Sequence, residues 1–547
     1  MKTKNISFVM ACMVAASVAT SCTDLLEIDQ HGSQKYDEYY QTDEQIEAAV
    51  AECYQQALNM GLGSFTNKAL LDGDFWCGGG QRGDNGGFEQ MNEYRYSADL
   101  GTILSWFQGY YTGINRCNTV LDKCAENTSS VAKRACAEAR VIRGLMYFEL
   151  ASMWGTVPLV DHVLIDSSDA AIGNTDMPTL WKFIQDDLTT AINSGVLFEK
   201  KDADDSSADK WRVSKQFAQA LLGKAYLWAG NKADAAKCFE DVITSNKYAL
   251  YGGEDRPVTE EYQNVIQNRA KFNCESLFES SQGNDPNNFG FTTAGCMLRW
   301  RSGNFTNTWM VVNNMDMNAV GPAIDTNYWS YFSGQDYGFY NPTGALVAAF
   351  DANGDTYRKE QTIKSVDWVC QNLGFVLSGN LYGVEDYLMW KWRAGVDTQN
   401  WGGYGAMSYT NNYRWMRLAE VYLLAAEAYL EIDPDKAANY LNKVRRRAKL
   451  ADKGNITLAD IQLEKQCELC GEGVRFQDIQ RWGLGSQLLS KMGEKIPTRS
   501  AAGIAWDTKA NNDPSKYGYK TGKHELLPMP FKEIQMNKNL KQNPGWD

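Results

Sequence analysis

Residues 212–248 read RVSKQFAQALLGKAYLWAGNKADAAKCFEDVITSNKY. Within them Leu222, Gly223 and Tyr226 fit the pattern L-G-x-x-Y. Ala235 lies nine residues beyond Tyr226, and Phe239 four beyond that. The apolar period near 3.6 on either side makes this a helix-turn-helix unit. A glycine at 223 lets the two helices approach closely, and Tyr226, Ala235 and Phe239 fill the space between them. The early Trp and closing Pro usual in such a repeat are missing.

The same small-x-x-Tyr signature returns three times: Ala51–Tyr54 in AVAECYQQAL, Gly144–Tyr147 in IRGLMYFEL, and Ala426–Tyr429 in AAEAYLEIDPDKAANYL. In the last, Ala438 again lies nine residues beyond the Tyr. These are four degenerate tetratricopeptide-like helix pairs separated by long insertions. One pair cannot bury its own apolar face, so the four should stack into one curved scaffold. The expected fold class is therefore mainly α: four such pairs in a single domain, with a loop-rich half carrying irregular and short β elements.

Composition narrows the function. The 547 residues carry a net charge of −13, which argues against nucleic acid or anionic lipid as a partner. Seventeen Trp and 28 Tyr offer apolar area with a polar handle, suited to amphipathic ligands such as sugars. With 3 His, histidine-based metal or general-base chemistry has little material. No cofactor is expected. Thirteen cysteines show no compact disulfide framework, and buried thiols are the reading preferred here; Cys117 and Cys124 share a helix face at a spacing of seven.

The N-terminus reads as a targeting segment. Lys2 and Lys4 precede an apolar run from Ile6 to Val18, too short to span a bilayer, and then Ala19-Thr20-Ser21-Cys22. This resembles a bacterial lipobox with Cys22 acylated after cleavage, giving a soluble body on a lipid anchor. Residues 1–21 are then a signal peptide and 22–35 a polar tether. Residues 36–547 are one domain, with a helical scaffold at about 36–282 and 411–450, ligand-binding insertions at about 72–100 and 283–410, and a C-terminal part at 451–547.

Residues 467–483, CELCGEGVRFQDIQRWG, pose a choice between chemistry and scaffold. A zinc site needs four ligands, and no second C-x-x-C or Cys/His pair exists. A P-loop needs G-K-[ST], but Gly473 is followed by Val474 and Arg475. The preferred reading is a helix broken at Gly471–Gly473 and restarted, with Arg475, Asp478 and Arg481 on one face where they can pair. Asp351, Asn353 and Asp355 mimic the start of a calcium loop, but Thr356 and Thr362 stand where an EF-hand needs Gly and an acid.

Several segments together carry a resemblance to a known family. They are AEARVIRGLMYFELASMWGTVPLV (137–160), VSKQFAQALLGKAYL, NCESLFES (273–280), YRWMRLAEVYLLAAEAYL with LNKVRRRA, and the closing LLPMPFKEIQMNKNLKQNPGW. Residues 467–483 resemble the pattern E-L-x-G-E-G-x-R-x-x-D-x-x-R-W-G, in which both cysteines fall at variable places. In this order the segments resemble the SusD/RagB family of outer-membrane nutrient-binding lipoproteins. The resemblance implies a surface-facing, lipid-anchored protein in the outer membrane. It also implies a TonB-dependent transporter barrel, SusC-like, as partner, and structural roles for Asp355 and Arg358.

Long irregular loops on a rigid scaffold usually carry function. The expected ligand face therefore comes from residues 72–96 and 283–345, rich in Gly, Asn and aromatics. Trp76 and Trp300 are the stacking platforms of choice, with Trp329 and Tyr331 as a third. Arg301 follows Trp300, and Cys296 lies in the same loop and could line the pocket. Arg82, in a tripeptide read as a turn, completes the loop after Trp76. Asp72 and Asp74 flank a glycine just before Phe75-Trp76 and could accept sugar hydroxyl protons. The expected activity is capture of an oligo- or polysaccharide without catalysis. A peptide-binding relative and a glycoside hydrolase using Asp72 or Asp74 are the alternatives.

Overall fold

The computed structural model describes residues 40–78, 86–165, 169, 171–254, 271–280, 315–316, 340–373, 376–377, 379–391, 412–507 and 513–546. Cys22 and the targeting segment lie outside them.

The helix pairs form where the periodicity places them. The first pair is α1 (Asp43–Leu71) and α2 (Gly101–Lys123). The second is α3 (Ser130–Trp154) and α4 (Met177–Asn193). The third is α5 (Lys215–Trp228) and α6 (Lys232–Thr244), and the fourth α7 (Leu418–Tyr429) and α8 (Pro434–Arg447). Caps set many of the starts. Thr42 and Gln45 form a reciprocal capping box on α1. The side chains of Ser129, Asp176, Ser214, Asn231 and Asp433 each accept a bond from a backbone N–H of the first turn. Each helix packs on the next, and α6 packs on α7 across the long insertion between them. The scaffold is thus continuous, as stacking of incomplete units requires.

Within the third pair, a Cβ at Gly223 would sit 2.6 Å from the Phe239 ring, so only glycine admits this approach. Ala235 and Phe239 are fully buried there. Tyr226 is only half-buried and packs on the core from its edge, rather than filling the space between the helices. The chain's end is laced onto α3. Trp154 Nε1 donates to the Pro528 carbonyl at 3.0 Å, and Asn543 Nδ2 donates to the carbonyls of Trp154 (2.8 Å) and Leu527 (2.7 Å).

A second, smaller core lies beneath the insertions, built on Phe65, Phe75, Tyr340, Phe350, Leu388 and Tyr413. The insertion at about 283–410 contributes two short helices to it, Gly344–Ala352 and Val366–Leu373, with a third, Thr356–Thr362, between them. Small antiparallel pairings complete this half. β1 (Phe75–Trp76) pairs with β3 (Asn341–Pro342), and β2 (Ser276–Ser280) with β5 (Tyr413–Arg417). The hairpin β6 (Ile496–Ser500) and β7 (Gly503–Asp507) takes β4 (Leu381–Tyr382) on its other edge.

Residues 467–483 prove to be scaffold. Helix α9 (Leu458–Leu469) ends before Gly471 and Gly473, both at φ +69°, and the chain restarts as α10 (Arg475–Arg481). Cys467 and Cys470 are buried free thiols. Glu468 accepts from Arg417 Nη1 (2.6 Å), Arg358 Nη1 (2.9 Å) and Arg447. Glu472 accepts from Arg417 Nε (2.7 Å) and Lys391 Nζ (2.6 Å). Arg358 also pairs with Asp355 and Glu464, which makes the Asp355–Arg358 pair structural. Asp478 and Arg481 pair as expected, at 3.0 Å, but Arg475 turns to Asp74 instead, at 3.2 Å.

This hub makes the fold acid-sensitive. Burial alone would raise both carboxyl pKa values, but the surrounding cations win. Arg447, Arg417 and Arg358 hold Glu468 well below the usual range, and Arg417 with Lys391 brings Glu472 to about 2. Both folded values lie below the unfolded one, so their stabilisation is complete above the ordinary Glu pKa. It is lost as pH falls from there toward 2. For Glu472 alone the loss is on the order of 3 kcal/mol. Urea midpoints measured from pH 7 down to 2 should fall steeply below about pH 4.5; a flat profile would show that the hub does not carry these charges.

Candidate functional site

The candidate site grows from the end of α1. After Leu71 the chain turns through Asp72-Gly73-Asp74, with Gly73 at φ +79°, and enters β1. Thr343 clamps this turn: its N–H donates to the Asp74 carbonyl at 2.9 Å, and its hydroxyl to that of Gly73 at 3.0 Å. At the other end of β1, Gly78 abuts Gly383, where a Cβ would lie 2.6 Å from Gly78 Cα. This backbone contact joins β1 to the β4–β6–β7 sheet and brings Trp76 under the hairpin.

Asp72 and Asp74 are 2% and 1% exposed. Asp72 accepts from the Asp74 N–H at 2.9 Å, and Asp74 accepts from Gln466 Nε2 at 2.7 Å while pairing with Arg475. Burial raises the pKa of both carboxyls, and at Asp72 the neighbouring Asp74 charge adds to the effect. Both are expected from the sequence to accept sugar hydroxyl protons or to act as a hydrolytic pair; both are buried, and Asp74 ties the insertion to α9 through Gln466 and to α10 through Arg475. Trp76, expected from the sequence as a stacking platform, is also largely covered. It is 7% exposed, and its indole N–H donates to Glu385 Oε1 at 2.7 Å. Arg82, Cys296, Trp300, Arg301, Trp329 and Tyr331 lie outside the described residues.

Among the described residues of this face the exposed aromatic is Trp506, on β7, which sequence reasoning did not single out. It is 45% exposed and meets Trp76 edge-on, ring centroids 6.3 Å apart at 72°. Ile504, two residues earlier on the same strand face, is 44% exposed. Arg499 anchors the hairpin through Asp386 (3.0 Å) and Asp367 (2.6 Å). Glu385, half-buried, offers an acceptor beside the rings, with Gly344 leaving the space for its carboxylate. The only hint in the sequence was the short apolar run Ile504-Ala505-Trp506, which has no polar alternation to mark an exposed face. The arrangement is a held aromatic platform flanked by a carboxylate, which can stack a ring face and accept hydroxyl protons.

The scaffold holds a different kind of space. A cavity of about 30 Å³ is lined by Lys68, Glu149, Lys224, Arg414, Glu472 and Gln477. Lys68 pairs with Glu149 and Lys224 with Glu420, each at 2.9 Å. That volume suits a water molecule, whereas ligand sites span roughly 300–1,000 Å³. Among the described residues no His/Cys/Asp/Glu group could hold a metal ion, and no helix is long and apolar enough to cross a membrane.

Comparison with known proteins agrees with this architecture. Residues 377–546 match the model of the SusD family, and residues 82–227 match one described as starch-binding associating with outer membrane. The chain is 24% identical to SusD-like protein P25 of Formosa agariphila, over 96% of this chain and 95% of that protein. Among solved structures, a laminarin binding SusD-like protein superposes with a TM-score of 0.74 and 26% identity, over 92% of this chain and 99% of that one. Surface glycan-binding protein A from Bacteroides thetaiotaomicron, in complex with laminarihexaose, gives 0.69 at 20% identity over 92% and 99%; at that identity it speaks for the fold alone.

Proposed function

Because the chain belongs to the SusD family, we propose that it is a cell-surface glycan-binding lipoprotein. It captures an oligo- or polysaccharide on its loop-rich face and delivers it, unchanged, to a TonB-dependent transporter in the outer membrane. The lipid anchor at Cys22 and the transporter rest on the family resemblance. Glycan binding is supported by the name of the 26%-identical structural relative. The observation that carries it is Trp506, half-exposed and held from beneath by Trp76. Trp76 acts as support and Glu385 as hydroxyl acceptor; Trp300, Trp329 and Tyr331 are proposed as further ligand contacts on the sequence alone.

A sugar face on Trp506 removes about 100 Å² of apolar area from water, or about 2.5 kcal/mol. Trp506→Ala should therefore weaken binding about seventy-fold. Affinity electrophoresis in gels containing laminarin or other polysaccharides reads this directly. The wild type should be retarded and release no sugar, and Trp506→Ala should run almost freely. Equal retardation of both would remove the platform from the site. Retention by no polysaccharide would favour a peptide ligand, and released sugars a hydrolase.

A further inference from the structure

The closing segment of the chain is fastened by a turn at residues 520–524, and His524 is its clasp. The Lys520 N–H donates to His524 Nδ1 at 2.8 Å, so the neutral ring carries its proton on Nε2. The His524 N–H donates back to the Lys520 carbonyl at 3.0 Å, and Gln480 Nε2 of α10 donates to the His524 carbonyl at 3.2 Å. His524 is 2% exposed. Its ring lies among those of Tyr94, Tyr96, Tyr519 and Trp546, with centroids 5.2, 5.5, 5.8 and 5.2 Å away. Nε2 has no hydrogen-bond partner among the described residues.

This setting opposes a charged ring. A second proton, on Nδ1, would face the Lys520 N–H donor to donor. The charges that act on the ring are those of Lys523 and Lys520, both cations. Burial keeps the hydroxyls of Tyr94, Tyr96 and Tyr519 protonated. The carboxylates of the neighbouring elements have partners of their own. Glu93 pairs with Arg95 at 2.7 Å, and Asp478 of α10 with Arg481 at 3.0 Å. Exposed Glu525 accepts from the Gly522 N–H at 2.9 Å, and Asp72, behind Tyr94, from the Asp74 N–H. Burial first, then Lys523 and Lys520, bring the His524 pKa from 6.5 to about 3. The folded value lies below the unfolded one, so this stabilisation is complete above the ordinary His pKa and is lost as pH falls from there toward 3.

We infer that His524 is a proton-operated latch: neutral, it holds residues 517–529 against the scaffold; protonated, it frees them while the helix pairs stay folded. The segment's other anchors are neutral hydrogen bonds. The Gly518 N–H donates to the Glu93 carbonyl at 2.9 Å, the Tyr519 N–H to that of Leu489 at 3.1 Å, and the Leu527 N–H to that of Met153 at 2.8 Å. The Tyr519 hydroxyl donates to Gln480 Oε1 at 2.8 Å. Trp546 Nε1 closes the turn from outside, donating to the carbonyls of Lys523 (2.7 Å) and Leu526 (3.1 Å). The hub at Glu468 and Glu472 needs a lower pH, so the latch opens first. Each pH unit below the ordinary His value raises its opening constant about tenfold, which makes about thirtyfold at about pH 5. The inference needs only the docking of the closing segment and is independent of the glycan reading.

The test is hydrogen–deuterium exchange of the whole purified protein at about pH 7.5 and about pH 5, read by mass spectrometry and corrected for the intrinsic exchange rate at each pH. Peptides within 517–529 should lose protection about thirtyfold between the two, while peptides of α3 and α5 keep theirs. His524→Asn retains an acceptor for the Lys520 N–H but cannot titrate. Its protection in this segment, at whatever level, should therefore be the same at both pH values. Unchanged protection of the wild type, an equal loss in α3, or the same thirtyfold loss in His524→Asn would overturn the latch.

Discussion

Arg417→Ala is expected to cost about 5 kcal/mol and to leave the protein largely unfolded at modest urea. Arg417 is 1% exposed at the junction of β5 and α7. Its guanidinium bonds Glu275 (2.6 Å), Glu468 (2.6 Å) and Glu472 (2.7 and 2.6 Å). Removing it leaves three carboxylates facing one another, with Arg447, Arg358 and Lys391 as the remaining cations. An unpaired buried charge costs far more than the pair it replaces contributes, because water cannot enter to solvate it. Truncation to Ala adds a cavity. Neutralising one orphan should recover part of the loss, so Arg417→Met with Glu472→Gln should be more stable than Arg417→Met alone. Equilibrium urea unfolding of the three variants checks this. A cost below about 1 kcal/mol for Arg417→Ala, or no recovery in the double variant, would show that these carboxylates are neutral in the native protein.

Gly473→Ala should cost about 4 kcal/mol, from two sources. The residue sits at φ +69°, which penalises any L side chain by about 1–2 kcal/mol. A Cβ there would also stand 2.8 Å from Phe65 Cα, the backbone of α1, which cannot swing aside as a side-chain tip would. Phe65 is in turn fixed by its edge contact with Tyr413, centroids 4.5 Å apart. Gly483 supplies the control: it has the same φ, but a Cβ would meet nothing within 4 Å. Gly483→Ala should therefore lose only the conformational part. The two variants are compared by urea midpoint, and equal losses would mean that the approach of residue 473 to α1 is looser than described.

How much of this was legible beforehand follows a physical division. The helix pairs could be read because a helix declares itself within a dozen residues: a 3.6 period, an oxygen-bearing cap, a small residue where two axes approach. Gly223 and Phe239 are sixteen positions apart, and one local pattern contains both. The break at Gly471–Gly473 was readable for the same reason. The second core escaped, because the short helices between 344 and 373 bury their apolar residues against Phe65 and Cys467, from segments far along the chain.

The candidate site divides the same way. Trp76 stood out as a tryptophan among glycines, a pattern that suggested exposure. Glu385 and Trp506 cover it from 309 and 430 positions away, and no local window contains that fact. Asp72 and Asp74 read as a ligand-facing pair in the local sequence, whereas the groups that hold Asp74, Gln466 and Arg475, come from α9 and α10 far along the chain. By itself, then, the sequence determined what short-range interactions settle: the helices, their pairing into a scaffold, and the family to which their order belongs. The tertiary structure alone decided which carboxylates are paired away from water and which tryptophan meets it. Burial is a property of the residues that cover a side chain, and these are set by the whole fold.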